Sequence, residues 1–180
     1  MQTLRVSNVA QALPQGLELL RREGVTLPSR NGPMVEVPYP VTTQYLNPRE
    51  RVLFCPDRDA NPFFHFFESL WMIAGRNDVE FVKHYSGNMA KFSDNSVTLH
   101  GAYGFRWRNH FNFDQIEFLI SEIKNNPTSR RLVMGMWDPK ADIEGTSLDH
   151  PCNTQIYFRI RNDAIDMTVC NRSNDVVWGA

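Results

Sequence analysis

The stretch NTQIYFRIRNDAIDMTVCNR, residues 153–172, decides the fold class. Thr154, Ile156, Phe158 and Ile160 alternate with Gln155, Tyr157, Arg159 and Arg161, the period of a strand with two unlike faces. Asn162-Asp163-Ala164 supplies a turn, and Ile165–Arg172 alternates again, so the stretch predicts an antiparallel hairpin. Arg131–Trp137 adds a strand upstream. Before that the period is helical. Asn61 is a good N-cap, Pro62 suits the first helical position and Gly75 suits the stop, which predicts a helix over Asn61–Gly75. Further helices are predicted over Val9–Glu23, with Leu13, Leu17 and Leu20 on one side and Gly24 as the stop, over Asp78–Tyr85, and over Asp114–Asn125 before Asn126-Pro127. Pro14 and Gly16 weaken the first of these. Helices first and strands later indicate an α+β layered fold.

The segment Leu27–Asp59 is rich in proline and turn residues, with short strand-like runs at Met34–Val37 and Arg51–Phe54. No internal repeat, low-complexity tract or Gly/Ser linker interrupts the chain, so residues 1–180 read as one domain. Phe63, Phe64, Phe66, Phe67, Leu70, Trp71, Ile73 and Ala74 surround the Asn61–Gly75 helix rather than striping it, which predicts burial on most sides. Glu68 sits among them. A buried carboxylate is costly, and it either stays protonated, finds a partner or has a chemical task.

Composition excludes several classes. With 180 residues, 42% of them apolar, the chain can bury roughly 70% of its extended surface and needs no disulfide staples. Nineteen Lys and Arg against 20 Asp and Glu argue against a general nucleic-acid or membrane-surface binder. No apolar run approaches the roughly 18–20 residues of a membrane span. The first twenty residues lack the basic start and apolar stretch of a signal peptide, so a cytoplasmic location is expected. Cys55, Cys152 and Cys170 are an odd count without metal-site spacing. No phosphate-binding Gly-rich loop is present, and no pair among His65, His84, His100, His110 and His150 has metal spacing, so no metal is expected.

What remains is one cysteine and several arginines. Asp149-His150-Pro151-Cys152 leads directly into a strand, placing Cys152 at an element end where a side chain can reach a cleft. A nearby cation lowers a thiol's pKa and raises its thiolate fraction. Arg172, across the hairpin, and the pair Arg130-Arg131 are the candidate cations. Arginines converging on one place also fit a phosphate dianion, because guanidinium presents a planar fork of donors. The plainer alternative is that Cys152 is a packing thiol and the arginines are solvated, since cysteine is among the most buried residue types. Cys55 and Cys170, flanked by apolar residues, read as packing thiols. A cysteine hydrolase pairing Cys152 with His150 is a weaker option, because residues two apart beside a proline need not converge.

Pro151-Cys152 before a strand, then Asn171-Arg172-Ser173-Asn174-Asp175, resembles the signature of the thymidylate synthase and pyrimidine nucleotide hydroxymethylase family. Ser129-Arg130-Arg131-Leu132-Val133 with Trp137, the block Ala102-Tyr103-Gly104-Phe105-Arg106-Trp107-Arg108, and Phe67-Glu68-Ser69-Leu70-Trp71 extend the likeness. Arg30-Asn31-Gly32 is similar to the family's N-terminal phosphate loop. The resemblance implies a homodimer built around a twisted, mainly mixed or antiparallel sheet with packed helices. It implies transfer of a one-carbon unit from 5,10-methylenetetrahydrofolate to carbon 5 of a pyrimidine nucleoside monophosphate. Cys152 would add to carbon 6, Glu68 would manage protons near the ring, and Tyr103 would assist removal of the carbon 5 proton. Arg30, Arg172 and Ser173 would hold the phosphate, with Arg130 and Arg131 from the partner subunit, and Asp175 would contact the folate.

Departures from the family pattern carry information. Asn153 stands where the synthase usually has His, and Asn174 where it often has Cys. Met89 and Phe92 fall where it carries two tryptophans that keep water from the methylene intermediate on the folate side. A looser lining would let water in and yield a hydroxymethyl product. The segments that read the base, hold the ribose and close over folate would lie beyond Ala180, so the sequence reads as the front part of a longer protein. The reading from another class is a catalytically inactive, truncated homologue that binds nucleotide or dimerises.

Overall fold

The computed structural model describes residues 1–29 and 32–179. The chain divides into two compact units, residues 1–60 with 174–180, and residues 61–173. No composition shift or linker in the sequence marks the step at Asn61.

In the first unit, β1 (Gln2–Val6) leads into α1 (Val9–Glu23), followed by β2 (Val25–Ser29), β3 (Gly32–Glu36) and β4 (Val41–Tyr45). β1 and β4 pair in parallel, and β2 and β3 form an antiparallel ladder. The Asn8 side chain caps α1, accepting the Gln11 N–H at 3.1 Å. Val9, Ala12, Leu13, Gly16 and Leu19 form its buried line, while Leu17, predicted to share that face, is exposed. Gly16 explains the shift: a Cβ there would meet Val176, so the missing side chain is what lets that segment lie against the helix. The run Arg51–Phe54, read as a strand, is irregular and ends in a 3-10 turn at Pro56–Arg58. It finds no ladder partner among the described residues, and Phe54 is exposed.

The second unit holds α2 (Pro62–Ile73), α3 (Val79–Tyr85), α4 (Tyr103–Arg108), α5 (Gln115–Asn125), β5 (Val133–Gly135), α6 (Pro139–Ile143), β6 (Asn153–Arg161) and β7 (Ala164–Asn171). The predicted cap at Asn61 forms, and Asp78 and Asp114 cap the helices that they open. Asn61 accepts from Phe63 and Phe64, Asp78 from Phe81, and Asp114 from Glu117. β5, β6 and β7 form one antiparallel sheet, with Asn162 and Asp163 at φ of 50° and 59° closing the hairpin. Two successive left-handed residues give the turn twist that matches paired strands, and Asn and Asp tolerate it best among non-glycines. The α+β class is as expected, with the strands of the described residues in three separate sheets. No helix among the described residues is long and apolar enough to cross a membrane.

Two clusters hold this unit together. Trp71, Val79, Val82, Leu99 and Ala102 join α2, α3 and the approach to α4, and Leu119, Leu132, Met134 and Ile156 fasten α5 to the sheet. Each large side chain so buried contributes about 1.5–3 kcal/mol. The expectation that α2 is buried on most sides is not met. Trp71 is 3% exposed, but Phe63 is 69% and Phe66 59% exposed, with Leu70 and Ile73 open on the same side. Helices α3 and α4 pack on α2, with Trp71 in the cluster between them.

Candidate active site

The residues before β6 form a turn with a buried Pro151 and a partly exposed Cys152. Arg172, just past β7, closes over that turn. Its backbone N–H donates to the Cys152 carbonyl at 2.9 Å, its Nε to the Pro151 carbonyl at 3.0 Å and its Nη2 to the His150 carbonyl at 3.2 Å. The same Nη2 lies 4.0 Å from Cys152 Sγ. The guanidinium rests over the Trp137 ring, 5.5 Å from its centroid. Three hydrogen bonds and a ring therefore hold a permanent cation beside the sulfur.

Tyr103 opens α4 and reaches the same place. Its hydroxyl accepts the Asn153 N–H at 3.3 Å, one residue past the thiol. Burial pushes its phenol above the ordinary value, outweighing the stabilising N–H bonds, so it stays protonated near neutral pH and can both donate and accept. The Asn153 side-chain oxygen is buried without a hydrogen-bond partner in the protein. Of the sequence-derived site residues, the structure thus brings Cys152, Arg172 and Tyr103 together.

The others lie as follows. Glu68 is half-buried on α2, and burial pushes its carboxyl above the usual range. The folded protein then holds that proton more tightly than the unfolded chain. Stability is full below the ordinary carboxylate pKa and falls as pH rises through the raised one. Glu68→Gln is expected to raise the thermal midpoint near about pH 7 and to leave it unchanged near about pH 3. An equal shift at both pH values would contradict the burial argument. Ser173 is exposed directly after Arg172. Arg131 donates to both carboxylate oxygens of Glu122, at 2.9 and 3.0 Å, and Arg130 is exposed beside it. Met89 packs against the Trp71 cluster, and Phe92 is half-exposed at the end of a 3-10 turn spanning Gly87–Phe92. Asp175 belongs to the first unit, where its carboxylate accepts the Val177 and Trp178 N–H groups. Arg30 lies outside the described residues.

Sequence reasoning missed a buried charge network beside this site. Arg106 Nη1 and Nη2 donate to the two Asp142 oxygens at 2.9 and 2.8 Å, and His100 Nε2 is 2.7 Å from Asp142 Oδ1. Burial alone would raise the Asp142 carboxyl, but its bonds from Arg106, the backbone and His100 hold it below the usual range. Ligand atoms of His100, Asp142 and His150 lie within 4.8 Å of one another, near enough to share an ion. Arg106, however, already compensates the carboxylate, and its Nη2 is 3.0 Å from His100 Nε2. Arg106 was visible in the Tyr103–Arg108 block, but nothing local in the sequence marks Asp142 as its partner.

Comparison with known proteins follows this geometry. Residues 62–180 match the sequence model of the family described as Thymidylate synthase. A deoxyuridylate hydroxymethyltransferase of Pseudomonas phage M6 is 54% identical over 181 residues, covering 100% of this chain and 52% of that protein. A deoxyuridylate hydroxymethyltransferase of Bacillus phage SP01 is 37% identical, over 99% of this chain and 49% of its own. The crystal structure of thymidylate synthase from T4 phage aligns with a TM-score of 0.52 at 26% identity, over 66% of this chain and 46% of that one. The chain spans about half the length of the curated relatives it matches.

Proposed function

The chain belongs to the thymidylate synthase family, and on that premise we propose that it acts in folate-dependent one-carbon transfer to carbon 5 of deoxyuridine monophosphate, giving the 5-hydroxymethyl nucleotide. The observation that carries the reading is Cys152 held 4.0 Å from the Arg172 guanidinium, with the Tyr103 hydroxyl on the next residue's amide. The choice of uracil and of hydroxymethylation leans on the relatives, two of which are deoxyuridylate hydroxymethyltransferases by name.

In this reading the Cys152 thiolate forms a bond to carbon 6 of the base, and the displaced π electrons make carbon 5 nucleophilic. Arg172 stands beside the sulfur during attack. 5,10-Methylenetetrahydrofolate supplies the one-carbon unit, with Met89, Phe92 and Asp175 assigned to its side of the site. Tyr103, protonated at rest, hydrogen-bonds the water that takes the carbon 5 proton. Glu68, with its raised carboxyl, exchanges protons with the base through water. Arg30, Arg172 and Ser173 hold the phosphate, and Arg130 and Arg131 reach a neighbouring site in a homodimer. Arg131, exposed at its own end, would then have to leave the largely buried Glu122 carboxylate. As the carbon 5 proton leaves, the bond to folate breaks and tetrahydrofolate departs. Water then adds to the exocyclic methylene and gives up a proton, no hydride is consumed, and re-formation of the carbon 5–carbon 6 double bond expels the Cys152 thiolate.

The test is the product. Incubated with deoxyuridine monophosphate and methylenetetrahydrofolate, the protein is expected to give a nucleotide heavier by one hydroxymethyl substituent, without dihydrofolate. A methylated product with dihydrofolate in equal amount would replace this reading with thymidylate synthesis. Nucleotide binding without any covalent chemistry would leave a binding module.

A further inference from the structure

The buried charge of the second unit gathers around Arg106 and Asp142, whose side chains are both fully buried. A buried ion pair is a poor source of stability, because stripping water from both ions costs about as much as their attraction returns. It is a good source of geometry, since two parallel N–H···O bonds fix both side chains at once. Some of the pair's remaining bonds go to Met136, His110 and Asp138, and others run to segments that carry a site residue. Arg106 lies one turn after Tyr103 on α4 and donates from Nε and Nη2 to the His100 carbonyl, at 3.3 and 3.1 Å. That carbonyl belongs to the turn from which α4 starts.

Asp142 reaches toward the thiol from the other side. His150, two residues before Cys152, sets its ring edge-on against His100, with centroids 5.7 Å apart. Its Nδ1 is buried without a hydrogen-bond partner in the protein, 3.9 Å from Asp142 Oδ1. The His150 carbonyl is one of the two that hold the Arg172 guanidinium. A parallel tie joins the same segments, with the Asp149 carboxylate accepting the Gly101 N–H at 2.8 Å.

We propose that Asp142, paired with Arg106, is a positioning residue for Cys152. Through His100 and His150 it sets the thiol, the Arg172 guanidinium and the Tyr103 hydroxyl at their working separations. The role rests on Cys152 being the nucleophile, as proposed above. Displacing a reacting group by about 1 Å can cost on the order of 10²-fold in rate.

The experiment needs no nucleotide. The full chain is alkylated with iodoacetate, and the rates at Cys152, Cys55 and Cys170, all partly exposed, are read by peptide mass spectrometry. Asp142→Asn leaves the Arg106 charge buried and uncompensated, whereas the double variant Arg106→Met/Asp142→Leu removes both charges and regains a thermal midpoint close to the parent's. In both variants the Cys152 rate is expected to fall about tenfold relative to the other two thiols, as Arg172, which draws the iodoacetate anion to the sulfur, loses its place. A folded variant that keeps the parental ratio, or three thiols that change together, would overturn the proposal. So would failure of both variants to fold, which would make the pair a requirement of the fold alone. If the parent forms no adduct with a deoxyuridylate analogue while the ratio shifts as expected, the functional reading falls and the positioning role stands.

Discussion

Cys152→Ser is expected to remove both turnover and covalent attachment to 5-fluorodeoxyuridine monophosphate, with the loss in rate on the order of 10⁴ or more. A hydroxyl is so much weaker an acid than a thiol that almost no anion exists near neutral pH, even beside a guanidinium. The Arg172 clamp cannot make up the difference. Its bonds go to the carbonyls of His150, Pro151 and Cys152, so the clamp itself survives the substitution and the protein stays folded. Cys55→Ser and Cys170→Ser leave the adduct intact, because the Arg172 guanidinium stands beside Cys152 and not beside either of these thiols. The measurement is the intact mass after incubation with the analogue and methylenetetrahydrofolate. A Cys152→Ser protein that gains the nucleotide mass would remove the nucleophile assignment.

Gly104→Ala is expected to be the most destabilising small substitution in the second unit. Gly104 lies in α4 against Met72 of α2, and a Cβ there would fall inside the van der Waals envelope of the Met72 carbonyl. The obstacle is backbone, so no rotamer change relieves it and the two helices must part. Ordinary overpacking costs about 1–3 kcal/mol, and this contact belongs at or above the top of that range. For a chain of this size the midpoint should drop about 6–12 °C. Gly87→Ala is the control, since a Cβ there would meet nothing within 4 Å. Parting α4 from α2 also moves Tyr103, so surviving protein should lose activity as well. An unchanged midpoint in Gly104→Ala would contradict the close helix approach.

Much of this was legible because its signals are local. The cap at Asn61, the helix starts at Asp78 and Asp114, the hairpin turn at Asn162-Asp163 and the two hairpin strands are written within a few residues of where they act. The hairpin also put Arg172 across the sheet from Cys152, but the bulge between Asn153 and Gln155, which no turn register announces, is what brings the two level. Tyr103 came from the resemblance, not from spacing. What escaped is long-range. Arg106 and Asp142 stand 36 residues apart, and nothing in either neighbourhood announces the other. The parallel pairing of β1 with β4 depends on a partner beyond α1 and the β2–β3 hairpin, so neither strand was read. Apolar composition all round α2 was a true signal of capacity to be buried, but which sides are covered depends on α3 and α4, which the helix's own residues do not encode.

The central claim is that Cys152 is the group that attacks the pyrimidine. Its most direct measurement is peptide mapping of the protein after incubation with 5-fluorodeoxyuridine monophosphate and methylenetetrahydrofolate. The account predicts that the nucleotide mass appears on the peptide containing Cys152 and on no other. A mass carried by the Cys55 or Cys170 peptide, or analogue bound tightly with no covalent mass on any peptide, would contradict it.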